Sequence, residues 1–88
     1  MEANNLTEDA IRLAEQSEEL KAFFKPSESY TDYERMVSDA ADWAMDNYEA
    51  EGWSPLSSFT CELANQLSEL CDADINAVWD TMHKIYNN

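Results

Sequence analysis

Between residues 32 and 51 two periodic sets of positions interleave. Tyr33, Met36, Val37, Ala40, Ala41, Ala44 and Tyr48 recur at the i, i+3, i+4, i+7 spacing of one apolar helix face. Asp32, Arg35, Asp39, Asp42, Asp46 and Glu49 advance by alternating steps of three and four, which places them together on the opposite face. The pattern predicts one helix over 32–51 with its apolar side in a core and a row of carboxylates turned outward. Thr31-Asp32-Tyr33-Glu34 has the Ser/Thr-x-x-Glu form in which hydroxyl and carboxylate each satisfy an orphan N–H at a helix start. Gly52 supplies the left-handed residue that closes a helix C-terminus.

Three further helices follow from the same reasoning. Ser54-Pro55 gives an N-cap followed by proline at the first helical position, and Leu56, Phe59, Thr60, Leu63, Ala64, Leu67, Leu70 and Cys71 form one side of a helix over 55–71. Asp72-Ala73-Asp74 makes a tight junction with another N-cap, and Ile75, Val78, Trp79, Met82 and Tyr86 form the stripe of a helix over 74–86. Before them, Leu6, Ala10, Leu13, Ala14, Leu20 and Phe24 predict a helix over 6–24, opened by Asn5 with Glu8 and interrupted by polar Ser17. Lys25-Pro26 ends it, because the residue before proline is pushed out of the helical region. No useful period-2 stretch or internal repeat occurs, so the expected fold class is all-α: a single domain, 1–88, built as a compact bundle of about four helices. Short connections favour a three-helix core from the last three, with the first laid across it.

Charge changes this picture most. Nineteen Asp and Glu stand against five Lys and Arg, a formal net charge of −14 in 88 residues. Three Trp, four Tyr and three Phe separate the chain from disordered acidic tails, which are poor in aromatics. The charge exceeds the roughly 2 to 8 that suffices for solubility of a small domain, and it opposes folding by self-repulsion. Asp46, Glu49 and Glu51 also lie at the negative end of the helix dipole, where acids are unfavourable. Helix stability does not explain those three.

Cys61 and Cys71 lie ten residues apart on one predicted helix, about 15 Å along its axis at ~1.5 Å per residue, too far for a disulfide. Two reduced thiols fit a cytoplasmic protein. The start Met-Glu-Ala-Asn-Asn-Leu lacks the basic and apolar regions of a signal peptide, and no apolar run is long enough to span a membrane. With two cysteines and His83 no zinc ligand set is evident, and no cofactor is expected.

Other chemistry fails at specific residues. Asp72-x-Asp74-x-Asn76 resembles the first half of an EF-hand loop, but Ala77 replaces the required glycine and His83 the bidentate glutamate. The Asp-Ser-Leu motif of acyl carrier proteins is absent. Asp80 and His83 at i, i+3 read as a surface pair with no nucleophile beside them, so an enzyme is not expected. Direct nucleic-acid binding is disfavoured, since only Arg12, Lys21, Lys25, Arg35 and Lys84 are available for phosphates.

What remains is a surface for a basic partner. Asp39 to Glu49 spans about 15 Å at ~1.5 Å per residue, close to four or five phosphates of one strand at ~3.4 Å each. In size, acidity and the stretch Val37-Ser-Asp-Ala-Ala-Asp-Trp-Ala-Met-Asp-Asn-Tyr48, the chain resembles the phage- and plasmid-encoded DNA mimics of the Ocr-type antirestriction and anti-CRISPR classes. It departs from some of them in lacking a long acidic C-terminal tail. The resemblance implies a mobile-element protein, acting in a bacterial cytoplasm, that blocks a nuclease or CRISPR effector by competing with its DNA. Two alternatives stand beside it. One is an antitoxin or immunity protein covering a basic nuclease toxin, like the small, acidic, four-helical colicin-type immunity proteins, whose Tyr-Tyr pair is absent here. The other is an assembly adaptor whose charge serves only solubility. The candidate partner-binding residues are Asp32, Asp39, Asp42, Asp46, Glu49 and Glu51 with Trp43 and Trp53, the two tryptophans serving either as core caps or as a partner or homodimer patch.

Overall fold

Ser17 breaks what the apolar pattern predicts as one helix. In the computed structural model, which describes residues 8–86, the helices are α1 (Glu8–Gln16), α2 (Glu18–Lys21), α3 (Tyr33–Glu51), α4 (Pro55–Cys71) and α5 (Ile75–Tyr86), with no strand among the described residues. Ser17 has extended backbone, φ −70° and ψ 115°, and its hydroxyl accepts from the Leu20 N–H at 3.1 Å. The break has a packing reason. On an unbroken helix Leu20 would point about 120° away from Ala14 at ~3.6 residues per turn, whereas here Ala10, Ala14 and Leu20 all reach the core. Beyond Lys21 the chain tightens through bonds from Phe23 N–H to Leu20 and from Phe24 N–H to Lys21, ending the helical path before Pro26. The predicted Asn5 cap and Leu6 lie outside the described residues.

The start of α3 differs from the expected capping box. Asp32, not Thr31, is the N-cap, and its side chain makes no capping bond. Glu34 is engaged elsewhere: its carboxylate sits 3.2 Å from Lys21 Nζ, and its own backbone N–H and that ammonium hold it below the usual carboxylate range. The other caps follow the sequence. Gly52 takes φ 76°, and the N–H groups of Gly52 and Trp53 close the last turn on the carbonyls of Glu49 and Tyr48. Ser54 Oγ accepts from Ser57 N–H at 3.1 Å, with Pro55 at the first helical position. Asp72 adopts the left-handed region at φ 60°, and the Asp74 carboxylate accepts from Asn76 N–H at 3.0 Å as α5 begins.

The core runs through α4. Phe59, Leu63 and Leu67 are fully buried in one cluster with Met36, Val37 and Ala44 of α3 and Val78 of α5. Helix α4 lies between α3 and α5, and α1 closes the remaining side by packing on both. The first helix is therefore a wall of the bundle rather than a lid on a three-helix core. Small Ala10 and Ala14 let it approach, and two tyrosines fix it there. Tyr33 Oη donates to the Ala14 carbonyl at 2.7 Å, and Tyr86 Oη donates to the Ala10 carbonyl at 2.8 Å. Ala14 is among the last residues of α1, whose carbonyls have no intrahelical donor, so Tyr33 satisfies a group that burial would otherwise leave orphaned. Cys71 is buried, and its thiol bridges both backbone groups of Lys25, accepting from N–H at 3.3 Å and donating to the carbonyl at 3.4 Å. Both cysteines are free thiols.

The tyrosine pair makes stability sensitive to alkali. Burial raises both phenols, Tyr86 to about 12 from an ordinary 10.0 and Tyr33 further still. The raised group stays protonated in the folded chain where the unfolded chain ionises, so its stabilisation is complete below pH 10 and is lost as pH rises from 10.0 towards 12. Tyr33→Phe should cost about 1–3 kcal/mol in urea denaturation at neutral pH, more than Tyr86→Phe, because it leaves a buried carbonyl unpaired. Both variants should lose stability less steeply than the parent above pH 10; a parallel decline would mean that the phenols do not couple to folding.

Candidate functional site

Helix α3 positions the acidic row by burying its other side. Tyr33, Met36, Val37, Ala40, Ala41 and Ala44 are buried, while Asp42, Asp46 and Glu49 are exposed and Asp39 is half-exposed at the start of the row. Asp32 is exposed at the N-cap. The row is not uniform. Arg35 Nε lies 3.4 Å from the Asp39 carboxylate, and the Tyr30 hydroxyl also donates to Asp39; burial and then this bond raise the Tyr30 phenol. Asp39 thus has two intramolecular partners. Asp42, Asp46 and Glu49 make no ion pair with any described residue.

The cations account for this difference. Arg12 pairs with Asp9 at 2.8 Å, Lys21 with Glu34 at 3.2 Å, Arg35 with Asp39 at 3.4 Å and Lys84 with Glu19 at 3.9 Å. These pairs lie on α1, around α2, at the N-terminal half of α3 and at the end of α5. None reaches the C-terminal half of α3, where the helix dipole adds to the negative potential. Solvated carboxylates on a rigid helix, with no competing internal cation, can accept charge-assisted bonds from arginine or lysine of another molecule.

Glu51 does not belong to this row. Its Oε1 accepts from the Ser58 hydroxyl at 3.0 Å, and Ser58 is fully buried in the first turn of α4. Unfavourable at the end of its own helix, this carboxylate stands beside the positive end of the next one. That resolves one of the three acids that helix stability left unexplained.

The two tryptophans also separate. Trp43 is half-buried on α3, where its carbonyl accepts from Asn47 Nδ2 at 2.8 Å. Trp53, in the turn after Gly52, is 46 % exposed. It borders a hollow of about 260 Å³ that also meets Cys61 and Trp79, neither of which the sequence marked as a site residue. Periodicity gave no signal for that grouping, because its residues come from a turn and two helices.

No family model, curated protein or solved structure matches the chain. No group of three or more His, Cys, Asp or Glu among the described residues is placed to hold a metal ion, and no helix among them is long and apolar enough to cross a membrane.

The contrast between Glu51 and its neighbours is measurable. Glu51→Ala should destabilise the fold by about 1 kcal/mol through the lost bond to buried Ser58. The double variant Asp46→Asn, Glu49→Gln should raise the melting temperature by a few degrees, since it removes repulsion and unfavourable dipole contacts. Both are read by thermal denaturation at low salt; a fall in melting temperature for the double variant would mean that those acids hold the fold together.

Proposed function

We propose that this protein binds a basic, nucleic-acid-binding protein and occupies its nucleic-acid groove with the outer face of α3. The observation that carries the reading is the row Asp42, Asp46 and Glu49, exposed and unmatched by any described cation on a chain of net charge −14. Asp42 to Glu49 covers about 10 Å at ~1.5 Å per residue, near the reach of three phosphates of one strand at ~3.4 Å each. The carboxylates take the place of phosphate oxygens before the partner's arginines. This is inhibition of the antirestriction or anti-CRISPR kind, achieved by binding and without a catalytic step. Asp39, matched by Arg35 and Tyr30, contributes less than its neighbours.

The exposure of Trp53 favours a second reading, an immunity-type neutraliser of a basic nuclease. Such a protein combines charge, which accelerates encounter, with an aromatic centre that slows dissociation. The two readings share a basic partner and differ in what that partner surface normally holds.

Affinity capture of nucleic-acid-binding proteins from bacterial lysate on the immobilised chain tests the proposal. A partner held by the α3 face should be released by salt and by competing duplex DNA. The triple variant Asp42→Asn, Asp46→Asn, Glu49→Gln should reduce its retention at least tenfold with the helical circular dichroism unchanged. Retention indifferent to DNA and to the triple variant, but lost in Trp53→Ala, would favour the neutraliser. Retention indifferent to all of these would remove the row from the interface.

A further inference from the structure

Two adjoining hollows lie along one grooved face between α4 and α5. The first, about 260 Å³, runs from Trp53 past Cys61; the second, about 290 Å³, continues towards Met82 and Tyr86; they share Ser57, Thr60 and Trp79. Two indoles line one end, Trp53 exposed and Trp79 half-buried and tilted against His83 at a ring separation of 6.3 Å. No lysine or arginine lines either hollow. Lys84, the residue beside His83, is engaged with Glu19 of α2. Glu51, bonded to Ser58, also acts on the Cys61 thiol, which burial first and this carboxylate second push up, so its negative charge is felt at the Cys61 wall of the first hollow.

We infer that the hollow at Trp53 receives an arginine or lysine side chain of the basic partner, held against the indoles of Trp53 and Trp79 with Glu51 supplying the counter-charge. The inference rests on the proposal of a basic partner and adds a second contact, separate from the α3 row. Aromatic faces attract a cation through their quadrupole, most strongly for tryptophan and most of all where water is partly excluded. The occupant is fixed by charge. A second copy of this chain would bring −14 against −14. A neutral apolar segment would meet the same indoles but would gain nothing from Glu51. A cationic side chain uses both, laying its methylenes on the indoles while its charged head faces the carboxylate.

The test is a titration of the ¹⁵N-labelled protein with the peptide acetyl-Arg-Leu-Arg-Leu-Arg-amide, and in parallel with the neutral version carrying citrulline for arginine. The indole N–H signals of Trp53 and Trp79 and the backbone amides of 42–49 are followed separately. The arginine peptide should shift both indole signals saturably and bind at least fivefold more tightly than the citrulline peptide. Trp53→Ala should weaken it about tenfold with helicity unchanged, and Trp79→Phe should weaken it less. The triple variant Asp42→Asn, Asp46→Asn, Glu49→Gln should abolish the shifts at 42–49 while the indole shifts persist. Shifts confined to 42–49 would overturn the groove assignment and leave the α3 reading standing. Equal shifts from both peptides would overturn cation recognition. Indole shifts with 42–49 silent would uphold the groove and count against the α3 row.

Discussion

Five cations serve nineteen acids in this chain, and the helices must pack against the resulting repulsion. The exposed ion pairs are individually worth little, about 0–1 kcal/mol each, so the bundle is held by its buried side chains, with the cations relieving repulsion locally. Their placement still matters. Lys21 joins α2 to α3 and Lys84 joins α5 to α2, so two of the cations act where the short second helix meets its neighbours. Arg12 and Arg35 are used within their own helices. Charge is thereby relieved around α2 and left unrelieved at the far half of α3.

The Tyr33 and Glu51 bonds answer a related constraint, that polar groups brought into the interior need a partner. Tyr33 supplies a donor to the end of α1, while Tyr86 donates to the Ala10 carbonyl in the first turn of that helix. Glu51 supplies an acceptor to the buried Ser58 hydroxyl where α4 begins. No side-chain nitrogen or oxygen buried among the described residues lacks a hydrogen-bond partner. A molecule that satisfies its interior this fully, and yet leaves Asp42, Asp46 and Glu49 without a cation, bears a surface charge that its own packing does not require.

Three helices were legible in the sequence to within a residue, because periodicity and local caps agreed: Gly52 after α3, Ser54-Pro55 before α4, Asp74 before α5. The first segment was less legible. Its register conflict is visible only when Ala14 and Leu20 must face the same core, and the remedy, Ser17 capping a new turn, depends on tertiary packing. The same limit applies at Thr31-Asp32-Tyr33-Glu34, where a motif that fits a capping box gives up its glutamate to Lys21 of another helix. Placing the α3 acids on one outward face needed only the helical period. Separating Asp39 and Glu51 from that row needed the positions of Tyr30 and Ser58, and the groove beside Trp53 needed two helices to meet.

On the proposed reading, net charge and the aromatic groove would contribute to recognition in different ways. A field of this strength draws in any cationic surface, raising encounter rates while discriminating weakly among basic proteins, and salt screens it within about 8–10 Å. Short-range selection needs contacts that a wrongly shaped basic surface cannot make. The exposed face of Trp53 and the hollow it shares with Trp79 would provide such contacts next to the Gly52 turn that ends α3. That turn therefore joins the two surfaces in one chain segment: the row from Asp42 to Glu49 leads into it, and the indole of Trp53 leaves it. A partner engaging both would be attracted by the charge and retained by the aromatics, so altering the row should chiefly slow association and altering Trp53 should chiefly hasten release.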